Sequence, residues 1–270
     1  MPWLVLLHRL GATRIGSGEG EMSKKKLARI IGVCTAAIII VGAITVLPSC
    51  QEQTPTPPTY GLQFDGVDDY VSLGNATALG FTSQDFTIEA WIKPAITTKP
   101  MQMFHRHKWN EDGYRLQVSS PGALSFFTFQ SGANQVSRTS NGTVTVGDWY
   151  HVAVVRQGAS VRIYVNGVDK TVTAGSHIDP AYNAKTLTFM GTSYEPEAFA
   201  GIISEVRVWN RARTKSEIKA NMSKELTGGE EGLVGYWKLN EGSGTIAHDT
   251  SPSANNGRIY GNPVWLVGGG

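Results

Sequence analysis

The stretch DWYHVAVVRQGASVRIYVNGVDK, residues 148–170, decides the fold. Two β-branched runs, Tyr150–Arg156 and Ser160–Val165, flank Gln157-Gly158-Ala159. In the second run Val161, Ile163 and Val165 alternate with Ser160, Arg162 and Tyr164. A period of two puts one face in a core and the other in water. Asn166-Gly167 then supplies a tight turn, because both residues tolerate positive φ. The stretch reads as strand, turn, strand, turn and the start of a third strand, all antiparallel. It is scaffold, with nothing helical or catalytic in it.

The same pattern extends outward in both directions. Leu62 and Phe64, then Tyr70, Val71 and Leu73, flank the turn at residues 65–69. In FTIEAWIKP (86–94), Phe86, Ile88, Ala90 and Ile92 share one face and Glu89, Trp91 and Lys93 the other, and Pro94 closes the strand. Strands are also expected at residues 101–106, 113–119, 124–130, 135–139, 186–190 and 202–209. The segment 214–222 alone reads as helix, with Thr214 as N-cap and Glu217 completing a capping box. Short strands separated by Gly-rich turns, in a chain with 31 glycines, predict a β-sandwich or jelly roll.

Four stretches carry a resemblance: LQFDGVDDYVSL (62–73), FTIEAWIKP (86–94), DWYHVAVVRQGASVRIYVNG (148–167) and GIISEVRVWNRARTKSEI (201–218). Together they resemble the laminin-G-like, concanavalin A-like jelly-roll family. The resemblance implies an all-β fold: a two-sheet antiparallel jelly-roll β-sandwich with one short helix near residues 214–222. An Ile-Asp-Glu motif of that family stands here as Ile203-Ser204-Glu205, without the Asp. Residues 232–265 also resemble family sequence. They read as a closing segment of the same domain, 60–265, with Trp237 and Trp265 buried; the competing reading is the start of a truncated second domain. Closure is favoured because a lone hairpin pair exposing two tryptophans would be marginal.

Upstream of this domain the chain reads as an address. Lys24, Lys25, Lys26 and Arg29 precede an uncharged apolar run, residues 30–46, that ends at Leu47-Pro48-Ser49-Cys50. Residues 22–49 resemble a bacterial lipoprotein signal peptide, which implies cleavage before Cys50 and lipidation of its thiol. An uncleaved membrane helix is the competing reading, since the run is near the short end of a span of roughly 17–25 residues. Either topology places the residues after Cys50 outside the cytoplasm, at the bacterial cell envelope. Residues 50–59, rich in Thr and Pro, read as an extended tether. Residues 1–21 read as a mis-annotated N-terminal extension before a true start at Met22, because Ser17–Glu21 can be encoded by an almost purely purine stretch.

Composition narrows the function. A net charge of +2 without a concentrated basic face argues against nucleic acid. Two cysteines cannot form a disulfide framework. A glycosidase of this architecture would need paired carboxylates on one strand; Glu89 and Glu205 each stand alone, so an enzyme is disfavoured. His105 and His107 alternate on one strand and are read as exposed strand and loop residues, not as a metal pair or a base. Calcium, which takes six to eight oxygen ligands, is the expected ion. One candidate site is Asn110 and Asp112, beside Glu111, with Glu195 and Glu197, in loops that the resemblance brings to one rim. The alternative is a structural site of Asp65, with Asp68 or Asp69, and Glu241 and Asp249. Trp109, Tyr114 and Tyr194 are the candidate ligand-binding aromatics, since stacking on sugar faces needs exposed rings. The expectation is an exported, lipid-anchored, non-catalytic module that binds a glycan, with a surface-protein partner as the alternative.

Overall fold

In the computed structural model of the chain the described residues are 55–109, 111–192 and 196–268. The signal region, Cys50, and the site candidates Asn110, Tyr194 and Glu195 lie outside them. In chain order the strands are β1 (Gly61–Asp65), β2 (Tyr70–Gly74), β3 (Phe86–Pro94), β4 (Met101–Lys108), β5 (Asp112–Ser119) and β6 (Ala123–Gln130). Next come β7 (Ala133–Thr139), β8 (Tyr150–Gln157), β9 (Ser160–Val165), β10 (Val168–Asp169), β11 (Thr171–Thr173), β12 (Thr188–Gly191) and β13 (Ala200–Trp209). Helix α1 (Lys215–Asn221) leads to β14 (Leu233–Trp237), β15 (Ile246–Ala247), β16 (Gly257–Tyr260) and β17 (Val264–Leu266).

These strands form two antiparallel sheets. The first runs β10-β9-β8-β3-β13-β1-β17, with β14 also paired to β13. The second runs β11-β7-β6-β5-β4-β12-β2-β16-β15. The deciding stretch forms β8, β9 and β10. Asn166 (φ 50°) and Gly167 (φ 72°) make the tight turn at which β9 folds back onto β10. Period-two patterning then builds the core. Val152, Val154, Ile163, Ile88 and Ile203 from the first sheet face Val71, Leu116, Val118, Phe126 and Met190 from the second, all buried. Each such side chain contributes about 1.5–3 kcal/mol by leaving water.

The outer face of the first sheet is covered over its central strands. Thr214 caps α1 through the expected capping box with Glu217. The helix sets Ile218 on Ala153 and Val155, on the outer side of β8. Glu89 and Trp91, on the outer side of β3, are therefore buried. Trp91 Nε1 donates to the Met222 carbonyl at 2.6 Å. Glu89 accepts from Arg213 at 2.7 Å, with His151 Nε2 at 3.4 Å. Burial would push the Glu89 carboxyl up; His151, Arg213 and Arg207 outweigh it and hold it below the usual carboxylate range.

Strand β13 carries a bulge between Ser204 and Arg207, where Glu205 sits at φ 54°. The bulge divides the strand's other edge: Ala200–Ile203 pair with β1 and Val206–Trp209 with β14. It also aims the Glu205 carboxylate at three donors, Tyr60 Oη (2.5 Å), Tyr236 Oη (2.7 Å) and Arg207 Nη2 (2.5 Å). The tail strands serve both sheets, since β15 and β16 extend the second beside β2 and β17 lies along β1 in the first. Trp237 is fully buried and donates to the Asn255 carbonyl. Trp265 is half-buried against the core edge, less deep than the sequence reading has it.

Candidate functional site

The outer face of the second sheet is different. β4, β5 and β6 lie side by side, and their outward positions hold Gln102, His105 and His107, then Arg115, then Phe127 and Phe129. With Trp109, Thr192 and Glu197 the polar members line a cleft of about 450 Å³. Gly113, on β5 opposite His107, has φ 82°, and a Cβ there would strike the Arg106 carbonyl at 1.7 Å. With no side chain between them, His107 on β4 and Phe129 on β6 meet at 4.9 Å across β5.

Arg115 is the centre of this face. Its guanidinium donates to Glu197 Oε2 at 3.0 Å, and Gln102 Nε2 donates to the same oxygen. It lies 4.7 Å from the Phe127 ring centre, 5.0 Å from Trp109 and 5.8 Å from Phe129. A guanidinium packed among rings adds cation–π attraction to its ion pair. The His105 and His107 rings are 5.1 Å apart. Burial, together with the charge of Arg115, lowers His105 to about 3. Burial, with His105 and Arg115 adjacent, lowers His107 to about 2. Both imidazoles are neutral at ordinary pH, and the Arg115–Glu197 pair cancels internally. The face therefore offers rings and hydrogen-bonding groups with little net charge at its centre.

Several expected site residues fall elsewhere. Trp109 is 53% exposed and stands at the cleft mouth, 5.3 Å from Phe129. Tyr114 is corrected: its side chain points into the core, fully buried, and its hydroxyl donates to the Leu79 carbonyl. The strand places it one residue from outward-facing Arg115, and the period of two sends it inward. Asp112 is buried as the acceptor for Lys108 N and Thr186 Oγ1, a turn-closing role. Glu111 pairs on the surface with Lys108. Glu197 accepts from Arg115 and from Gln102. His105 and His107 are also corrected: they lie on the buried side of the cleft, not in solvent.

In the alternative set the carboxylates take part in local hydrogen bonds. Asp249 accepts from Tyr236 N, Ser251 N and Asn255 N, and Glu241 from His248 N. Asp65 instead clusters with Asp68 and Asp69, their oxygens within 4.8 Å. Asp69 is raised by burial, against hydrogen bonds from the Asp65 and Asn262 amides that lower it. Backbone amides of the 65–69 turn and of Asn262 donate to the Asp65 and Asp69 carboxylates.

The sequence reading missed Gln102, Arg115 and Thr192. One signal was available: Phe126-Phe127 cannot both face one core in a strand, so Phe127 and then Phe129 must point outward.

No curated protein matches the chain. Among solved structures, a provisionally assigned carbohydrate-binding protein from Bacteroides ovatus is 23% identical with a TM-score of 0.57. That match covers 78% of this chain, and the chain spans 61% of that protein's length. A heptameric SAP-like pentraxin from Limulus polyphemus is 15% identical (TM-score 0.48, 78% of this chain and 97% of that one). Domain 4 of a GH43 extracellular arabinanase from Geobacillus stearothermophilus, in complex with arabinotriose, is 22% identical (TM-score 0.41, 58% and 74%). The first of these likenesses concerns the fold alone. Residues 65–219, more than half of the chain, match the Laminin_G_3 family, and the chain therefore belongs to the concanavalin A-like lectin/glucanases superfamily.

Proposed function

We propose that this chain is a non-catalytic carbohydrate-binding module, held outside the cytoplasm by lipid on Cys50. The observation that carries the reading is the cleft on the second sheet. An exposed tryptophan, an amide, two neutral imidazoles and a buried arginine packed on Phe127 converge there. Rings that stack on sugar C–H faces beside fixed polar groups are the chemistry of a sugar site. The Bacteroides ovatus protein, named for carbohydrate binding, agrees with this in kind. Hydrolysis by the usual carboxylate pair would need a second acid near Glu197. Among the described residues lining the cleft Glu197 is the single carboxylate, and Arg115 neutralises it.

A glycan array with the wild-type module, followed by calorimetry on the hits, tests this. Trp109→Ala should weaken binding at least tenfold while leaving the melting temperature in place. Unchanged affinity would remove the cleft from the account. The same titration in millimolar calcium and in chelator decides whether the ion takes part. Anchoring rests on the signal-like segment ending at Cys50. Cys50→Ala should abolish incorporation of a fatty-acid label, and persistence of the label would refute the anchor.

A further inference from the structure

The aromatic surface does not stop at the cleft. One row of outward positions crosses the second sheet at right angles to its strands. Tyr260 on β16 pairs directly with Tyr70 on β2, and their rings stack at 4.8 Å. Tyr70 meets Phe189 on β12 edge-on at 5.8 Å. Phe189 is the cross-strand partner of His105 on β4, with rings stacked at 5.2 Å. His105 pairs with Arg115 on β5, and Arg115 with Phe127 on β6. Six adjacent strands thus each place a ring or a guanidinium on one line. Five inter-strand spacings make that line about 24 Å long.

Packing does not account for this row. The core side of the same strands is supplied by Val71, Met190, Leu116 and Phe126. Outward positions of a sheet that faces water are ordinarily polar, yet Tyr70, Phe189 and Phe127 are only half-buried and Tyr260 is 38% exposed. Nor is the row a plain apolar patch of the kind that docks a protein. Polar groups alternate with the rings along it: Gln102 and Glu197 beside Arg115, Ser72 beside Tyr70, and Arg258 lying 5.4 Å over the Tyr260 ring.

We infer that the cleft is one end of an extended site running from Trp109 to Tyr260, which takes the interior of a linear polysaccharide, not a single terminal sugar. This inference rests on the carbohydrate reading of the cleft. His105 and Arg115 are buried at the middle of the row, so its exposed points are Tyr260, Tyr70, Phe189 and Phe127, and a line of about 24 Å is long enough to run beside several consecutive sugars. Rings already stacked on one another are held in place before the ligand arrives, so little side-chain freedom is lost when it binds.

The test is a chain-length series on the full module. Oligomers of one to six sugars from laminarin, xylan, arabinan and polygalacturonate are titrated against wild type, Trp109→Ala, Tyr260→Ala and Tyr70→Ala, with folding checked by thermal melts. The expected result is affinity that climbs tenfold or more between the dimer and the pentamer of a bound series. Tyr260→Ala should erase most of that climb and leave dimer binding intact, whereas Trp109→Ala weakens both. Dimer and pentamer bound equally, or a climb that survives Tyr260→Ala, overturns the extended site and leaves the cleft as a short sugar site. If no series and no glycan on the array binds wild type, the carbohydrate reading itself fails and the inference with it. A wild-type dimer in light scattering that Tyr260→Ala dissociates would make the row a subunit interface and likewise overturn the proposal.

Discussion

The two sheets share one core but treat their outer faces in opposite ways. On the first sheet, α1 and the tail cover the outward residues of the central strands, and buried charges there are paired: Glu89 with Arg213, and Glu205 with Arg207 and two tyrosines, while Trp91 donates to a carbonyl. On the second sheet four outward residues, Gln102, His105, His107 and Arg115, line a cleft with Trp109, Thr192 and Glu197 from the flanking loops, and rings remain partly in water. Buried charge on the covered face is fixed by pairing and serves structure. Partly exposed rings on the open face cost solvation without being needed by the core, and that is what a recognition surface looks like. The difference teaches that, within one sandwich, function is to be sought where outward side chains are under-covered.

Four experiments would break or sharpen that contrast. The largest effect is expected from ending the chain near Gly229, which removes β14 to β17 with the buried Trp237, Tyr236 and Leu239. The shortened chain should show no cooperative melt; one at the full-length temperature would mean that the tail is dispensable. Next, Glu89→Ala on the covered face leaves the Arg213 guanidinium buried without its partner. Denaturant titration should show a loss of about 3–5 kcal/mol. A loss below about 1 kcal/mol would mean that this face does not depend on its charge pairs.

Acidification comes third and reports on the open sheet. His105 falls from 6.5 to about 3, and His107 from 6.5 to about 2. His177, held between Thr128 and Ser137, is lowered by burial from 6.5 to about 4. Below pH 6.5 the unfolded chain takes up protons that the folded chain refuses, so stability present above that pH is lost as pH falls toward 4 and below. His105→Gln should flatten that decline; an equally steep profile in the variant would show that His105 does not carry it. The smallest effect belongs to Trp109→Ala, which should change stability by no more than about 0.5 kcal/mol. A loss several times larger would make Trp109 a structural residue and weaken the contrast.

The fold was legible because alternation is local. Val161-Arg162-Ile163-Tyr164-Val165 states its two faces outright, Asn166-Gly167 states its turn, and Thr214 with Glu217 states the helix start. The site was only half legible. Trp109 could be found as a loop aromatic between polar residues. Tyr114 lay inside the expected strand 113–119 but was put on the wrong face: it shares its phase with Leu116 and Val118, which point into the core. Arg115 and Glu197 meet from positions 82 residues apart, and no short-range pattern announces such a pair. The same holds for the row from Tyr260 to Phe127, whose members become neighbours only through sheet order.

The bond between Tyr60 and Glu205 has a mechanical consequence. Any pull that reaches the domain through the residues before Tyr60 arrives at the start of β1, an interior strand flanked by β13 and β17. Thr56, Pro57 and Pro58 line a crevice there with Trp91, Arg207 and Lys224. The load runs along the strand, so the ladder bonds on both its edges must shear together and cannot unzip one at a time. Tyr60, fastened to a carboxylate that Arg207 and Tyr236 also grip, acts as a cleat ahead of that ladder. A module gripping a long polymer on one face and hauled from its N-terminal end would resist tension at the point where the rope is tied.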